Sequence, residues 1–351
     1  MSVAMQKIED PRNCPEGFTM REQKPRVPGN QKETIDLKPP EARTTTNLSP
    51  NQAPSNEIEK PFIEEIEALN LTPVARIRLR PNKASPCALC KVRDQNGKDF
   101  MIKIGVKIGV MDIRNEAEMI QLCQDPSLNP GLISIAQSGQ TTNGFYYFVM
   151  PFLVGESLHT RIKRANRSET KLESIKACAK VLRTLHQIHR LGVVHADIKP
   201  ENIIFDSNRE PVIIDMGSAY VLNLTGSHDL TPAYTSPESI ATRLHKDARV
   251  SPASDLFSTG IIIYEILSND LPFYRPSTSP RSKGDNPIDI LQDSRKSSPD
   301  FGKIPKDFQS FIPVLEQLLA YDPKDRFDGS ALKAALAIEQ ALNTATFASL
   351  A

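Results

Sequence analysis

Along residues 1–60 apolar positions are isolated among Pro, Ser, Thr, Asn, Gln, Glu and Lys, and no periodic face can be traced. Such a segment buries too little surface to offset the entropy of ordering it, so a disordered tail is expected, either plainly solvated or with a regulatory docking role. From Pro61 the pattern changes. Phe62, Ile63, Ile66 and Leu69 recur at helical spacing and predict a short helix. Residues 74–79, 88–93 and 99–104 read as strands. The last two flank Asn96-Gly97, a hairpin signal because both residues tolerate positive φ. Residues 113–123 carry a helical pattern, and 145–150 form an apolar, aromatic strand. After Gly155 the pattern turns mainly helical. Leu172, Ile175, Ala179, Leu182 and Ile188 line one helix face, short strands flank 193–215, and 258–267 is a strongly apolar helix. Residues 275–310 read as a loop excursion rich in Ser, Pro, Lys and Asp, and Ser330 as the N-cap of a last helix ending near Leu342. The expected class is α+β: a small β-rich lobe over about 70–150 and a larger helical lobe over about 155–342, in a folded region spanning 61–351.

Composition sharpens this picture. With 39% hydrophobic residues in 351, a sizeable core is available. Lys+Arg at 43 against Asp+Glu at 42 leaves a formal charge of +1, which makes no case for a nucleic-acid or membrane-surface protein. No apolar run approaches the ~18–20 residues of a membrane span, and residues 1–20 lack the apolar stretch of a secretory signal. Five cysteines, an odd and scattered count, do not make a disulfide framework. Cys87 and Cys90 have C-x-x-C spacing, but no second pair or His pair nearby completes a zinc set, so ordinary thiols are expected. A reducing, cytoplasmic setting follows as the expectation, with export into a host cell as its alternative.

One stretch dominates the chemistry. His195-Ala196-Asp197-Ile198-Lys199-Pro200-Glu201-Asn202 follows the apolar pair Val193-Val194, and Asp215-Met216-Gly217 follows Val212-Ile213-Ile214. The whole string, with its spacing and flanking strands, closely resembles the catalytic core of the eukaryotic-type (Hanks-type) Ser/Thr protein kinases, whose established signature set it is. The resemblance covers roughly residues 70–342 and implies a bilobal protein-kinase-like fold. It also implies ATP and Mg²⁺ (Mn²⁺ as the alternative ion) and protein Ser/Thr hydroxyls as acceptors. Oligomeric state is not legible.

The residue types suit that chemistry. Mg²⁺ prefers hard oxygen ligands and takes only one or two carboxylates beside phosphates. Asp215 offers a carboxylate, and Asn202 an amide oxygen without further charge. Asp197 can accept and orient the proton of an attacking hydroxyl, and Lys199 can meet the transferred phosphoryl as a point charge. Lys103, in Phe100-Met101-Ile102-Lys103, matches the family's phosphate-binding lysine. Its helix partner is Glu116 or Glu118, and the R-x-E-A pattern favours Glu116. By the same resemblance Met150 is the gatekeeper, and Pro151 and Leu153 offer backbone groups to the adenine. Met101 and Ile204 also line the ATP pocket, and Glu156 either touches the ribose or is solvated. Thr231 and Glu238, in Thr231-Pro232-Ala233-Tyr234-Thr235-Ser236-Pro237-Glu238, match the substrate and activation segment. Asp255 matches the aspartate that braces the catalytic loop, and Arg326 the arginine that pairs with Glu238.

The sequence departs from the family in four places. No glycine occurs between Gly29 and Gly97, and the phosphate-covering loop expected at 80–87 contains Pro81 and Pro86 instead. Met101 replaces a small residue over the adenine, Met216 a Phe, and Ala196 the Arg before the catalytic Asp. These departures raise the alternative of a pseudokinase scaffold. Against it, every residue that handles metal, phosphate or proton is present.

Overall fold

The computed structural model describes residues 60–348, except 76, 81–86, 106–109, 126–128, 166, 223–230, 246–248 and 274–286. The expected tail, the loop over 81–86 and the whole 275–286 stretch therefore lie outside the described residues. Helix α1 (Lys60–Ala68) precedes strands β1 (Thr72–Pro73), β2 (Arg78–Arg80), β3 (Cys87–Arg93) and β4 (Asp99–Gly105), helix α2 (Val110–Cys123), and strands β5 (Gln137–Gln140) and β6 (Tyr146–Pro151). The sheet is antiparallel in the order β1-β3-β4-β6-β5, and β2 also pairs with β3.

Strand alternation sorts side chains to two faces. Ala88, Cys90, Val92, Ile102, Ile104, Tyr147 and Val149 point to the face covered by α1, where Phe62 and Ile66 complete the cluster. Cys87, Phe148 and Met150 point to the other face and join the core shared with α2 and the helical part. The C-x-x-C pair thus sends its two buried sulfurs to opposite faces and cannot grip one ion.

The predicted strand over 74–79 is not one strand. Pro73 pairs with Val92 and Arg78 with Leu89, so a five-residue step faces a three-residue step and the chain must buckle between them. The predicted hairpin forms, with Arg93 opposite Asp99. Only Gly97 uses a left-handed conformation, at φ 81°. Asp94 Oδ1 accepts the N–H groups of Asn96 (2.9 Å) and Lys98 (2.8 Å) and shapes the rest of the turn. Strand β5, Gln-Ser-Gly-Gln, has no apolar pattern; pairing with β6 alone makes it a strand.

The helical part contains α3 (Leu158–Arg164), α4 (Ser168–Arg190), β7 (Val193–Val194), β8 (Ile203–Phe205), β9 (Pro211–Ile213), β10 (Tyr220–Val221), α5 (Pro237–Leu244), α6 (Pro252–Ser268), α7 (Pro287–Ser294), α8 (Ile312–Leu318) and α9 (Ala331–Ala348). Ile175, Ala179, Leu182 and Ile188 of α4 are buried as the pattern predicts. Helix α6 is buried on nearly every side, as a helix apolar all round must be. It begins six residues before the predicted start, with Pro252 in its first turn and Ser251 in a capping box with Ser254. Gly260 lets it approach α8: a Cβ there would lie 2.7 Å from Leu318 Cβ. Ser330 Oγ accepts the Lys333 N–H at 3.3 Å and starts α9, which runs past Leu342 to Ala348.

The loop reading of 275–310 is corrected by α7 and by short 3-10 turns at Phe301–Lys303 and Lys306–Phe311. Helix α7 opens on Pro287 and buries Leu291, so a short amphipathic helix hid behind its polar neighbours.

Candidate active site

Lys103 and Glu116 form a buried ion pair between β4 and α2, with side chains 7% and 4% exposed. Alternation in β4 turns Lys103 away from α1 and toward α2. Glu118, the other glutamate, pairs instead with Arg114 at 2.9 Å on the exposed side of the helix. The Asp-x-Gly turn packs against this pair: a Cβ on Gly217 would lie 3.0 Å from Asp215 Oδ1 and 3.3 Å from Glu116 Oε2. Glycine is what allows that approach. Asp215 Oδ1 accepts the Gly217 N–H at 2.9 Å, and Met216 is buried in the main core.

The loop between β7 and β8 is braced from below by Asp255 of α6, which is fully buried. Its Oδ1 accepts the Ala196 N–H at 2.8 Å; its Oδ2 accepts the His195 N–H at 3.0 Å and lies 2.8 Å from His189 Nε2. Burial pushes the Asp255 carboxyl up, but the bond and charge of His189 and the His195 backbone outweigh it and hold it below the usual range. Ala196, at φ 63°, is left-handed without being glycine, a strained conformation that these bonds hold in place.

Beyond that brace the polar residues converge on Asp197. Its Oδ1 accepts the Thr231 hydroxyl at 2.6 Å. Lys199 Nζ donates to Asp197 Oδ2 and, at 3.0 Å, to Thr231 Oγ1. Asn202 Nδ2 donates to the Asp197 carbonyl at 3.0 Å and to Oδ2 at 3.3 Å, which turns its own amide oxygen the other way. The Ile214 N–H donates to the Asn202 carbonyl at 3.0 Å and ties the strand leading to Asp215 to this loop. Among the described residues no group of three or more His, Cys, Asp or Glu stands ready for a metal. One carboxylate and one amide oxygen, Asp215 and Asn202, is the sparse set that suits Mg²⁺ carried with phosphates.

At the seam between sheet and helices, Met101 lies opposite Met150 in the register, and Pro151 closes β6 opposite Phe100. Leu153 packs half-buried on the main core. Ile204, also half-buried, bridges to Ser157. Glu156 is held by Arg161 at 3.3 Å and Arg164 at 3.5 Å, so its charge is already matched.

Glu238 and Arg326 pair as expected: Nη1 to Oε1 at 2.7 Å and Nη2 to Oε2 at 3.0 Å, with Arg326 fully buried. Two further buried groups at this segment had no counterpart in the sequence reading. Tyr234 donates its hydroxyl to Glu265 Oε2 at 2.8 Å; burial pushes the Glu265 carboxyl up to about 7, and the like charge of Glu201 adds to the rise. Arg295, inside the stretch read from sequence as a loop excursion, is 3% exposed and reaches the carbonyls of Pro232, Ala233 and Thr235. Burial lowers its guanidinium to about 9, still a cation at neutral pH. Its position just after the Ile288/Leu291 apolar spacing was the signal that could have found it. Thr225 and Ser227, which the sequence offers as modification sites within the segment 215–238, lie outside the described residues.

Known proteins resemble this chain over most of its folded part. The family described as "Protein kinase domain" matches residues 87–343. Human "Serine/threonine-protein kinase MRCK gamma" is 34% identical over 139 residues, 38% of this chain and 9% of that protein. "Serine/threonine-protein kinase pkn3" of Myxococcus xanthus is 29% identical over 154 residues, covering 41% of this chain and 28% of that one. "Serine/threonine-protein kinase PknK" of Mycobacterium bovis is 29% identical over 205 residues, covering 56% and 17%. The matched stretch thus spans less than a third of each relative's length.

Proposed function

The chain belongs to the protein kinase family, and from that premise we propose that it transfers the γ-phosphoryl group of ATP to Ser or Thr hydroxyls of protein substrates. The observation that carries this reading is the convergence of Lys199, Asn202 and Thr231 on Asp197, tied through Ile214 to Asp215. A carboxylate offers about four lone-pair directions. Thr231, Lys199 and Asn202 already use three on Asp197, so an incoming hydroxyl meets a pre-aimed acceptor. In this reading Asp197 orients the acceptor hydroxyl and takes its proton, and Lys199 steadies the charge that develops on the transferred group. Asp215 and the amide oxygen of Asn202 would hold Mg²⁺, which neutralises phosphate charge when bound. Lys103, kept in place by Glu116, reaches the phosphates. Met101, Met150, Pro151, Leu153 and Ile204 line the adenine side, and Met101 makes that side tight.

A pseudokinase-scaffold reading draws on the four departures from the family pattern, above all the proline-containing stretch where the family has glycines. A metal-dependent phosphoryl-transfer assay separates the two. The wild type should label a generic protein substrate, and Asp215→Ala should abolish the labelling. Asp197→Ala should lower kcat by roughly 10²–10⁴ while ATP still binds. Equal labelling by wild type and both variants would sink the catalytic reading.

A further inference from the structure

Arg295 follows directly on α7 and is buried. The partners of its guanidinium among the described residues are the Ser294 hydroxyl and backbone carbonyls, with no carboxylate. Nε donates to Thr235 O at 3.0 Å, and Nη2 to Pro232 O at 2.5 Å and Ala233 O at 3.3 Å. A cation buried against neutral acceptors is harder to keep than an apolar side chain of the same size, so packing alone does not account for it. Its place is also fixed from the side. The Phe273 ring lies 5.0 Å from the guanidinium carbon and stacks on Phe257 at 5.5 Å.

The carbonyls it grips belong to the residues just after Thr231. That stretch is a tight turn: Thr231 O accepts the N–H of Tyr234 at 3.0 Å and of Thr235 at 3.1 Å, and the Thr235 hydroxyl at 2.7 Å. On its near side the turn presents the Thr231 hydroxyl to Asp197 and Lys199. On its far side Arg295 closes it with charge-assisted bonds, the stronger kind. Displacements of about 1 Å at such a site are enough to cost reactivity.

We infer that Arg295 is a positioning residue: through the carbonyls of Pro232, Ala233 and Thr235 it fixes the turn that holds Thr231 between Asp197 and Lys199. The kinetic consequence rests on the phosphoryl-transfer reading above; the structural one does not. Both are tested in the full chain with Arg295→Met, Arg295→Lys, Thr231→Val and the Arg295→Met/Thr231→Val double variant. Arg295→Met should speed amide exchange at Tyr234 and Thr235 by about tenfold or more, with protection in α9 unchanged. Arg295→Lys keeps the charge but not the fork, and should restore protection in part. In turnover, Arg295→Met should lower kcat by at least about tenfold with the KM for ATP unchanged, and the double variant should be no slower than Thr231→Val alone. Unchanged exchange at Tyr234 and Thr235 would overturn the assignment. So would kcat losses that multiply in the double variant, or protection lost equally throughout α9. A wild type without turnover sinks the phosphoryl-transfer reading and leaves the exchange result to decide this one.

Discussion

Lys103 and Glu116 show how a single pair can hold two elements to one geometry. Both are buried, so each charge gains from the opposite charge beside it. Removing one partner takes a close opposite charge away from a buried group. Glu116→Gln should therefore destabilise the protein by about 3 kcal/mol. Lys103→Met with Glu116→Leu, which removes both charges, should cost less than either single change. Urea unfolding midpoints check this; a double variant worse than both singles would count against it. Glu116 and Glu118 stand two apart on α2; the R-x-E-A pattern favoured Glu116, and the fold turns it toward β4 and Glu118 toward Arg114.

At the scale of elements, α6 is the platform under the site. It carries Asp255 beneath the Asp197 loop and Glu265 beneath Tyr234. Because burial raises Glu265 from 4.5 to about 7, the folded state binds its proton more tightly than the unfolded chain does. The stability this provides is fully present below about pH 4.5 and is lost as pH rises through about 7. Free energies of unfolding between pH 4.5 and 8 should show a fall on the order of 3 kcal/mol from this group, which Glu265→Gln should largely abolish. A Gln variant with the wild-type slope would contradict the assignment. Helix α6 itself was legible as an apolar run, and Asp255 through the family pattern, but its other polar members were not. Ser254, Ser258, Thr259 and Glu265 read as interruptions until the fold supplies each with a partner.

For the molecule as a whole, the family match begins at Cys87, yet the fold begins earlier. Phe62 and Ile66 of α1 cover the sheet face that Ala88, Ile102, Ile104 and Val149 would otherwise expose, and Phe62 meets Phe145 edge-on at 5.9 Å. Phe62→Ala should cost about 3 kcal/mol by leaving a cavity in that cluster. A chain starting at residue 87 should aggregate or melt well below one starting at residue 60, as light scattering and thermal unfolding would report. Equal melting of the two chains would mean that α1 adds nothing to the sheet.

The local devices were decided by the sequence alone. Alternation made β3, β4 and β6, a helical stripe made α4, and Gly97 and Ser330 punctuated a turn and a helix start, because each depends on near neighbours in the chain. The signature from His195 to Asp215 was legible for a related reason: one short loop and one strand end must place all its groups, so their spacing survives as a pattern. Strand β5, the buckle between β1 and β2, and α7 were decided by tertiary structure, since pairing or burial against distant residues outweighed weak local preference. Arg295 is the sharpest case. The Ile288/Leu291 spacing before it marks a face but not what receives a cation there; the carbonyls that accept its bonds lie some sixty residues away, and only folding brings them within reach.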